Sequence, residues 1–225
     1  MNSFIISYYF SISIQIIAFF IQLYGYLLPT TKSIITLKYA LNIEFFVSIV
    51  ELIVYAWIGT NLMNLNQVMN KRYLDWVITT NFLLISIALL FMYYNENTLQ
   101  IKEEDKNVKG LIYDNIPKFT PILLFNNLML FIGFMGEKKK IKKIYSFSFG
   151  FLCFFASFYY LYKYFGKFSH LSKRVFYIIA FIWGLYGIAH LMKDKLKNTM
   201  YNLLDLISKN FFGIFLVYFI LDQTN

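Results

Sequence analysis

Hydrophobic residues fall into seven long runs along the chain, separated by short polar stretches. Each run is long enough to cross the hydrocarbon core of a bilayer, which takes about 20 helical residues. Backbone groups in lipid must be hydrogen-bonded internally, and barrel strands are shorter and alternate in polarity, so the runs predict helices. The predicted spans are residues 4–28, 39–63, 73–94, 119–136, 144–165, 175–192 and 200–221.

The composition agrees with this pattern, because 59% of the 225 residues are hydrophobic and 21% are aromatic. Such values exclude an ordinary soluble domain. The spans occupy most of residues 1–225, which predicts a single all-α transmembrane domain, a seven-helix bundle in contact with membrane lipid. The net charge of +9 comes largely from lysines in short loops, where they can meet lipid head groups, so it does not indicate a nucleic-acid partner. Lys and Arg are divided almost equally between alternate loops and give no orientation.

Motifs of enzymatic chemistry are missing from the sequence: there is no HExxH, P-loop or dinucleotide fingerprint, so we do not predict an enzyme. His190 has no second His or Cys at metal-binding spacing, and we predict a packed or interfacial histidine and no metal. The loop before the fourth span contains Glu103, Glu104 and Asp105. A divalent-ion site is one interpretation of this loop, but the missing EF-hand spacing favours a solvated loop.

The last span contains Lys209, with Asp205 one helical turn before it. A charged side chain at the centre of a membrane helix costs roughly 2.5–3.5 kcal/mol on insertion scales, so such residues mark functional sites. A structural ion pair is the alternative, although a buried pair is a weak source of stability. The amine of a lysine can condense with an aldehyde, which predicts a covalent ligand at Lys209.

Polar residues in four of the spans recur at helical spacing and predict a wet seam inside the bundle. They are Ser7, Ser11 and Gln15 in the first span, Glu44, Ser48 and Glu51 in the second, Arg72, Asp75, Thr79 and Ser86 in the third, and Asn202, Asp205 and Lys209 in the seventh. Burying both Glu44 and Glu51 is costly, which indicates a function for the pair. For Glu44 alone, a protonated carboxyl group that ties two helices together is the alternative.

Three segments resemble microbial (type 1) rhodopsins. Residues 72–80, RYLDWVITT, resemble the third helix of that family, residues 204–209, LDLISK, the seventh, and residues 183–186, WGLY, the sixth. The resemblance implies all-trans retinal on Lys209 as a protonated Schiff base, with Asp75 and Asp205 as counterions and Arg72 beneath them. It also implies a retinal pocket, for which core packing of the aromatic side chains is the alternative. The pocket residues are Trp76, Thr80, Trp183 and Tyr186.

Several positions depart from the pattern of the family's proton pumps. Ser86 stands where pumps usually carry the carboxylate that donates protons, and residues 190–199 contain no glutamate for proton release. Asn81 and Gly187 replace two prolines of the family pattern. With these departures and its acidic second span, the sequence is most similar to the group one viral rhodopsins of giant viruses.

The resemblance extends to gating positions of channelrhodopsins, with Ser11 and Asn202 expected to face Glu44 and Glu51. We therefore predict a light-gated cation channel that conducts monovalent cations or protons, with successive constrictions at Glu44, at Glu51 and at the Lys209 cluster. The alternatives are a light-driven outward proton pump with Asp75 as acceptor, a photosensor with a separate partner, and a transporter or receptor without retinal. A homo-oligomer is possible, and the membrane, of a host cell or a virus, is left open.

Overall fold

The structure, a computed structural model, describes residues 3–98 and 108–224. Within those ranges it contains no strand and seven spans long and apolar enough to cross a membrane, which confirms the predicted all-α bundle. Glu103, Glu104 and Asp105 lie outside the described residues. The helices are α1 (Ser3–Leu27), α2 (Ile35–Gly59), α3 (Leu65–Thr98), α4 (Val108–Asp114), α5 (Ile116–Glu137), α6 (Lys143–Leu161), α7 (His170–His190), α8 (Asp194–Asp205) and α9 (Phe211–Thr224). Short π-helical turns follow α6 (Tyr162–Gly166) and join α8 to α9 (Leu206–Asn210).

The third and the last spans begin well before their predicted starts, and charged side chains in these added turns are buried with partners. The third span begins at Leu65 rather than at residue 73. In it, Lys71 donates to the Trp57 carbonyl and to Thr60 Oγ1. The last span begins at Asp194 rather than at residue 200, and Lys197 is buried within its first turns. Hydropathy alone misses such turns, since the cost of the charge is offset by ion pairs and hydrogen bonds.

The end of α1 is closed by a lysine from α2. Lys38 Nζ donates to the carbonyl oxygens of Gly25 at 2.6 Å and Leu28 at 2.7 Å. Gly25 belongs to the last turn of α1 and Leu28 follows its last residue, a region where helices leave acceptors without intrahelical donors. The contact fixes α2 against α1 and explains why α2 begins before the predicted residue 39.

The buried polar side chains face the interior of the bundle, beside hydrophobic core clusters, and many large apolar side chains face outward, as expected for a protein in lipid. Helix α1 shows this clearly, since its buried face carries Ser7, Ser11, Gln15 and Gln22. Large apolar side chains on other faces are exposed, among them Phe20, Ile53, Phe131, Phe181 and Tyr218. The chain is therefore an integral, multi-pass membrane protein.

The last span changes its winding at its most polar point. The π-helical turn Leu206–Asn210 contains three consecutive buried residues, Ser208, Lys209 and Asn210. A wider turn lets neighbouring side chains point to the interior together, and single π turns are frequent at functional sites. The turn brings Lys209 and Asn210 to the centre of the bundle.

Candidate functional site

Three carboxylates surround the amine of Lys209 inside the bundle. Its Nζ lies 2.6 Å from Asp75 Oδ2, 3.6 Å from Glu51 Oε1 and 3.8 Å from Asp205 Oδ1. All four side chains are at least 98% buried. Glu51 was expected as a separate constriction, and this expectation was wrong: α2 packs against α3 and the last span, and Asn210 Nδ2 donates to Glu51 at 2.8 Å.

Asp205 is the most heavily bonded of these carboxylates. It forms a 2.9 Å ion pair with Arg72 and accepts hydrogen bonds from Tyr55 at 2.8 Å, Tyr186 at 2.8 Å and Trp76 at 3.3 Å. A charge buried in this way needs both a counter-charge and donors. The predicted counterion positions of Asp75 and Asp205 thus meet at Lys209, and Arg72 is anchored to the second of them.

Arg72 ties the cluster to the N-terminal part of the last span. It donates to Asn198 Oδ1 at 3.3 Å and also to the Asn202 side chain. Ser11 Oγ donates to the Asn202 carbonyl at 3.0 Å. Ser11 and Asn202 therefore lie together beside Arg72, and among the described residues no hydrogen bond joins either of them to Glu44. The Asn202 side chain contacts Arg72 and Ser7 instead, and the expectation that Ser11 and Asn202 face both glutamates stays a prediction.

Glu44 lies on the far side of Lys209 from Arg72. It is two helical turns before Glu51 on α2, fully buried, and next to Ser86 of α3. The Ser86 hydroxyl donates to the Ala40 carbonyl at 3.1 Å. Ser86, which stands where the family's pumps usually carry a carboxylate, is thus close to the carboxylate of Glu44 on the second helix.

An apolar cavity opens beside Lys209 between α3, α5, α6 and α7. All the predicted pocket residues line it, namely Trp76, Thr80, Trp183, Tyr186 and Lys209. Gly150 and Gly184 also line it, and a Cβ added to either would meet no atom within 4 Å. An aromatic cleft that ends at an amine suits a long apolar aldehyde, with the two glycines leaving room for it.

Gly187 serves a different purpose from these two glycines. A Cβ at this position would lie 2.2 Å from the Phe151 ring, so the ring of α6 packs directly on the backbone of α7. At the position where the family pattern has a proline, this chain has a glycine that allows α6 and α7 to pack closely.

A network of amides joins α3 to α5 at the edge of the cavity. Asn126 Nδ2 donates to Thr80 Oγ1 at 2.8 Å and to Asn81 Oδ1 at 3.0 Å, and Asn81 donates to Asn127 at 3.1 Å. Asn81 also donates to the Val77 carbonyl at 2.7 Å. The side chain that replaces the family's proline thus makes an interhelical contact.

Sequence reasoning missed four polar residues of this interior. Tyr55 follows Glu51 by one turn and Asn210 follows Lys209 directly, so both could have been found from the helical period. Asn198 was placed in a loop. Glu137, the last residue of α5, lay just beyond a predicted span, and only the three-dimensional fold brings it to His190 of α7, at 2.9 Å. His190 is buried as predicted, but it also lines the cavity.

Residues 5–223 match the family model described as bacteriorhodopsin-like protein, and the chain belongs to this family of microbial rhodopsins. It is similar to the crystal structure of viral rhodopsin OLPVRII, at 27% identity and a TM-score of 0.82 over 96% of this chain and 97% of that one. This bears out the resemblance to viral rhodopsins, whereas membership of group one stays a prediction.

Two further structures share the fold at lower identity. The blue light-absorbing proteorhodopsin from Med12 is 19% identical, with a TM-score of 0.72 over 98% of both chains. The light-driven proton pump of Coccomyxa subellipsoidea is 13% identical, with a TM-score of 0.67 over 97% of both chains. No curated protein sequence matches the chain significantly.

Retinal is the cofactor of the family and of this chain. The residues present fit it, since one buried amine stands at an apolar cavity, next to carboxylates that can balance a positive charge.

Proposed function

We propose that the protein is a light-gated cation channel, with retinal attached at Lys209 and a cation path along the seam between α1, α2, α3 and the last span. The observation that carries the proposal is a row of buried polar atoms without a protein hydrogen-bond partner. Along the seam these atoms belong to Gln15, Gln22, Glu44, Ser48, Glu51, Asp75 and Asn210. Elsewhere among the described residues, Asn42, Asn95, Asn126 and Glu137 each have one such atom.

This row supports a hydrated interior. Buried polar groups in native proteins are bonded to protein or to internal water, so unpaired atoms at several levels point to a chain of waters. The row runs from Glu51 past Glu44 to Gln22, which lies against Gly213 of α9. Carboxylates beside such a path favour cations over anions.

Two contacts close the path in the state described. At one end Arg72 bonds to Asp205 and Asn202 across the seam. Past Gln22, Lys38 binds the end of α1, and a Cβ added to Gly25 would lie only 2.9 Å from Leu41 Cδ2 and 2.6 Å from Val217 Cγ2. Retinal supplies the absorption of light and a change of shape next to Lys209. A displaced Lys209 loosens its 2.6 Å contact with Asp75 and thereby weakens the charge cluster that holds Arg72.

Whole-cell voltage clamp under illumination tests the channel. We expect a photocurrent that reverses at the equilibrium potential of the permeant cation and moves when that cation is replaced. The double variant Glu44→Gln/Glu51→Gln should change conductance or selectivity, whereas Asp222→Asn, at an exposed position of α9, should not. Photocurrents of the double variant identical to those of the wild type would refute the assignment of the seam.

A light-driven outward proton pump is the second candidate, and the position of Glu44 next to Ser86 favours it. In a pump, Glu44 of α2 would donate the protons that a carboxylate at the position of Ser86 donates in other pumps of the family. In the same voltage clamp, a pump current keeps its direction over a wide range of potentials. If the protein is a pump, Glu44→Gln alone should slow the return of the protein to its initial state in the dark. Added azide, a mobile proton donor, should restore the rate of that return.

A further inference from the structure

A second buried charge cluster lies at the cavity wall formed by α6 and α7. The two carboxylate oxygens of Glu137 lie 2.9 Å from His190 Nδ1 and 2.5 Å from Lys197 Nζ, which also donates a hydrogen bond to it. His190 Nε2 lies 3.1 Å from Ser146 Oγ, and both of these side chains line the cavity that contains Lys209. The described residues show no hydrogen bond between this cluster and the carboxylates around Lys209.

Packing holds the cluster against the cavity. A Cβ at Gly136 would lie 2.3 Å from Ser146 Oγ and 3.3 Å from His190 Nε2, so these side chains rest on the backbone of α5. The Glu137 carboxylate thus lies directly behind a cavity wall formed by side chains of α6 and α7, whereas Asp75 and Glu51 belong to α3 and α2.

We propose that Glu137, held by His190 and Lys197, tunes the absorption wavelength of bound retinal from the end of the cavity opposite to Lys209. Excitation of a protonated retinal chromophore moves positive charge away from the nitrogen, towards the far end of the conjugated chain. A negative charge near that end stabilises the excited state more than the ground state and lowers the excitation energy. A positive charge there has the opposite effect.

The alternative is a structural ion pair that joins α5 to α7 and α8. The two roles differ in what they change. A structural pair affects stability and leaves the spectrum unaltered, whereas a tuning pair gives wavelength shifts whose sign follows the charge removed. The sign is informative because collapse of the cavity would shift all variants in the same direction.

The test measures the absorption maximum of the retinal-bound protein and the thermal midpoint of the apoprotein. Glu137→Gln should move the maximum to shorter wavelength by ~10 nm or more, the scale expected for a poorly screened unit charge several ångströms from the chromophore. Lys197→Gln should move it to longer wavelength. Asp194→Asn is the matched control, because Asp194 binds the same lysine at 3.0 Å but its side chain is 68% exposed.

An unchanged maximum for Asp194→Asn, with opposite shifts for the other two variants, supports the proposal. Shifts of equal sign for Glu137→Gln and Lys197→Gln, or unshifted maxima with lowered thermal midpoints, would overturn it. If Glu137→Gln does not fold, Lys197→Gln decides alone, and the absence of a shift to longer wavelength refutes tuning by this cluster.

Discussion

The two counterion candidates are predicted to contribute unequally to stability. Asp205 binds Arg72 and three neutral donors, whereas Asp75 Oδ2 accepts from Lys209 and its other oxygen has no protein partner. In Asp205→Asn, Arg72 stays buried without its carboxylate, and breaking a buried pair in this way costs ~3–5 kcal/mol. In Asp75→Asn, Lys209 keeps Glu51 at 3.6 Å and Asp205 at 3.8 Å, so we expect only ~1–3 kcal/mol.

The difference of ~2 kcal/mol corresponds to roughly 4–8 °C in the thermal midpoint for a chain of this size. The assay is tryptophan fluorescence of the apoprotein in detergent, in which Lys209 keeps its free amine. All variants are heated at one rate, since irreversible unfolding makes the midpoint depend on the rate. Asp222→Asn is the surface control. An equal or larger loss for Asp75→Asn would show that the charge cluster does not depend on the Asp205–Arg72 pair.

Three further predictions follow from single contacts. Lys209→Ala should give no visible absorption band after all-trans retinal is added, and a coloured protein would disprove the attachment site. Gly187→Ala should lower the free energy of unfolding by ~1–3 kcal/mol, and with it the thermal midpoint, because the added Cβ would overlap the Phe151 ring. Gly184→Ala, where space is open, should leave the midpoint unchanged, and equal losses for the two variants would contradict the packing argument. Gln15→Leu should reduce the photocurrent while leaving the absorption spectrum unchanged, since it removes two polar atoms from the seam, and an unaltered current would argue against water at that level.

The sequence predicts the number of spans well, because the apolar runs are long and the loops are mostly short. It also predicts that Asp75, Asp205 and Arg72 lie around Lys209, because helical spacing and the family motifs agree. The merging of Glu51 with this cluster was missed, since the spacing along α2 gives its face but not its depth relative to another helix. The neighbours of Glu137 come from α7 and α8, and no pattern within one helix indicates them.

The separation of the two charge clusters makes a joint prediction about colour and conduction. Glu44 belongs to the seam of α1, α2 and the last span, and Glu137 to the wall of α5, α6 and α7; the described residues show no shared hydrogen-bond partner. Effects at independent sites add, so Glu137→Gln should change the absorption wavelength without altering ion selectivity. Glu44→Gln should alter ion selectivity without changing the absorption wavelength. In the double variant, the action spectrum of the photocurrent should follow the colour of Glu137→Gln and its reversal potential that of Glu44→Gln. A reversal potential that depends on the residue at position 137 would mean that the cation path also passes His190, on the other side of the cavity.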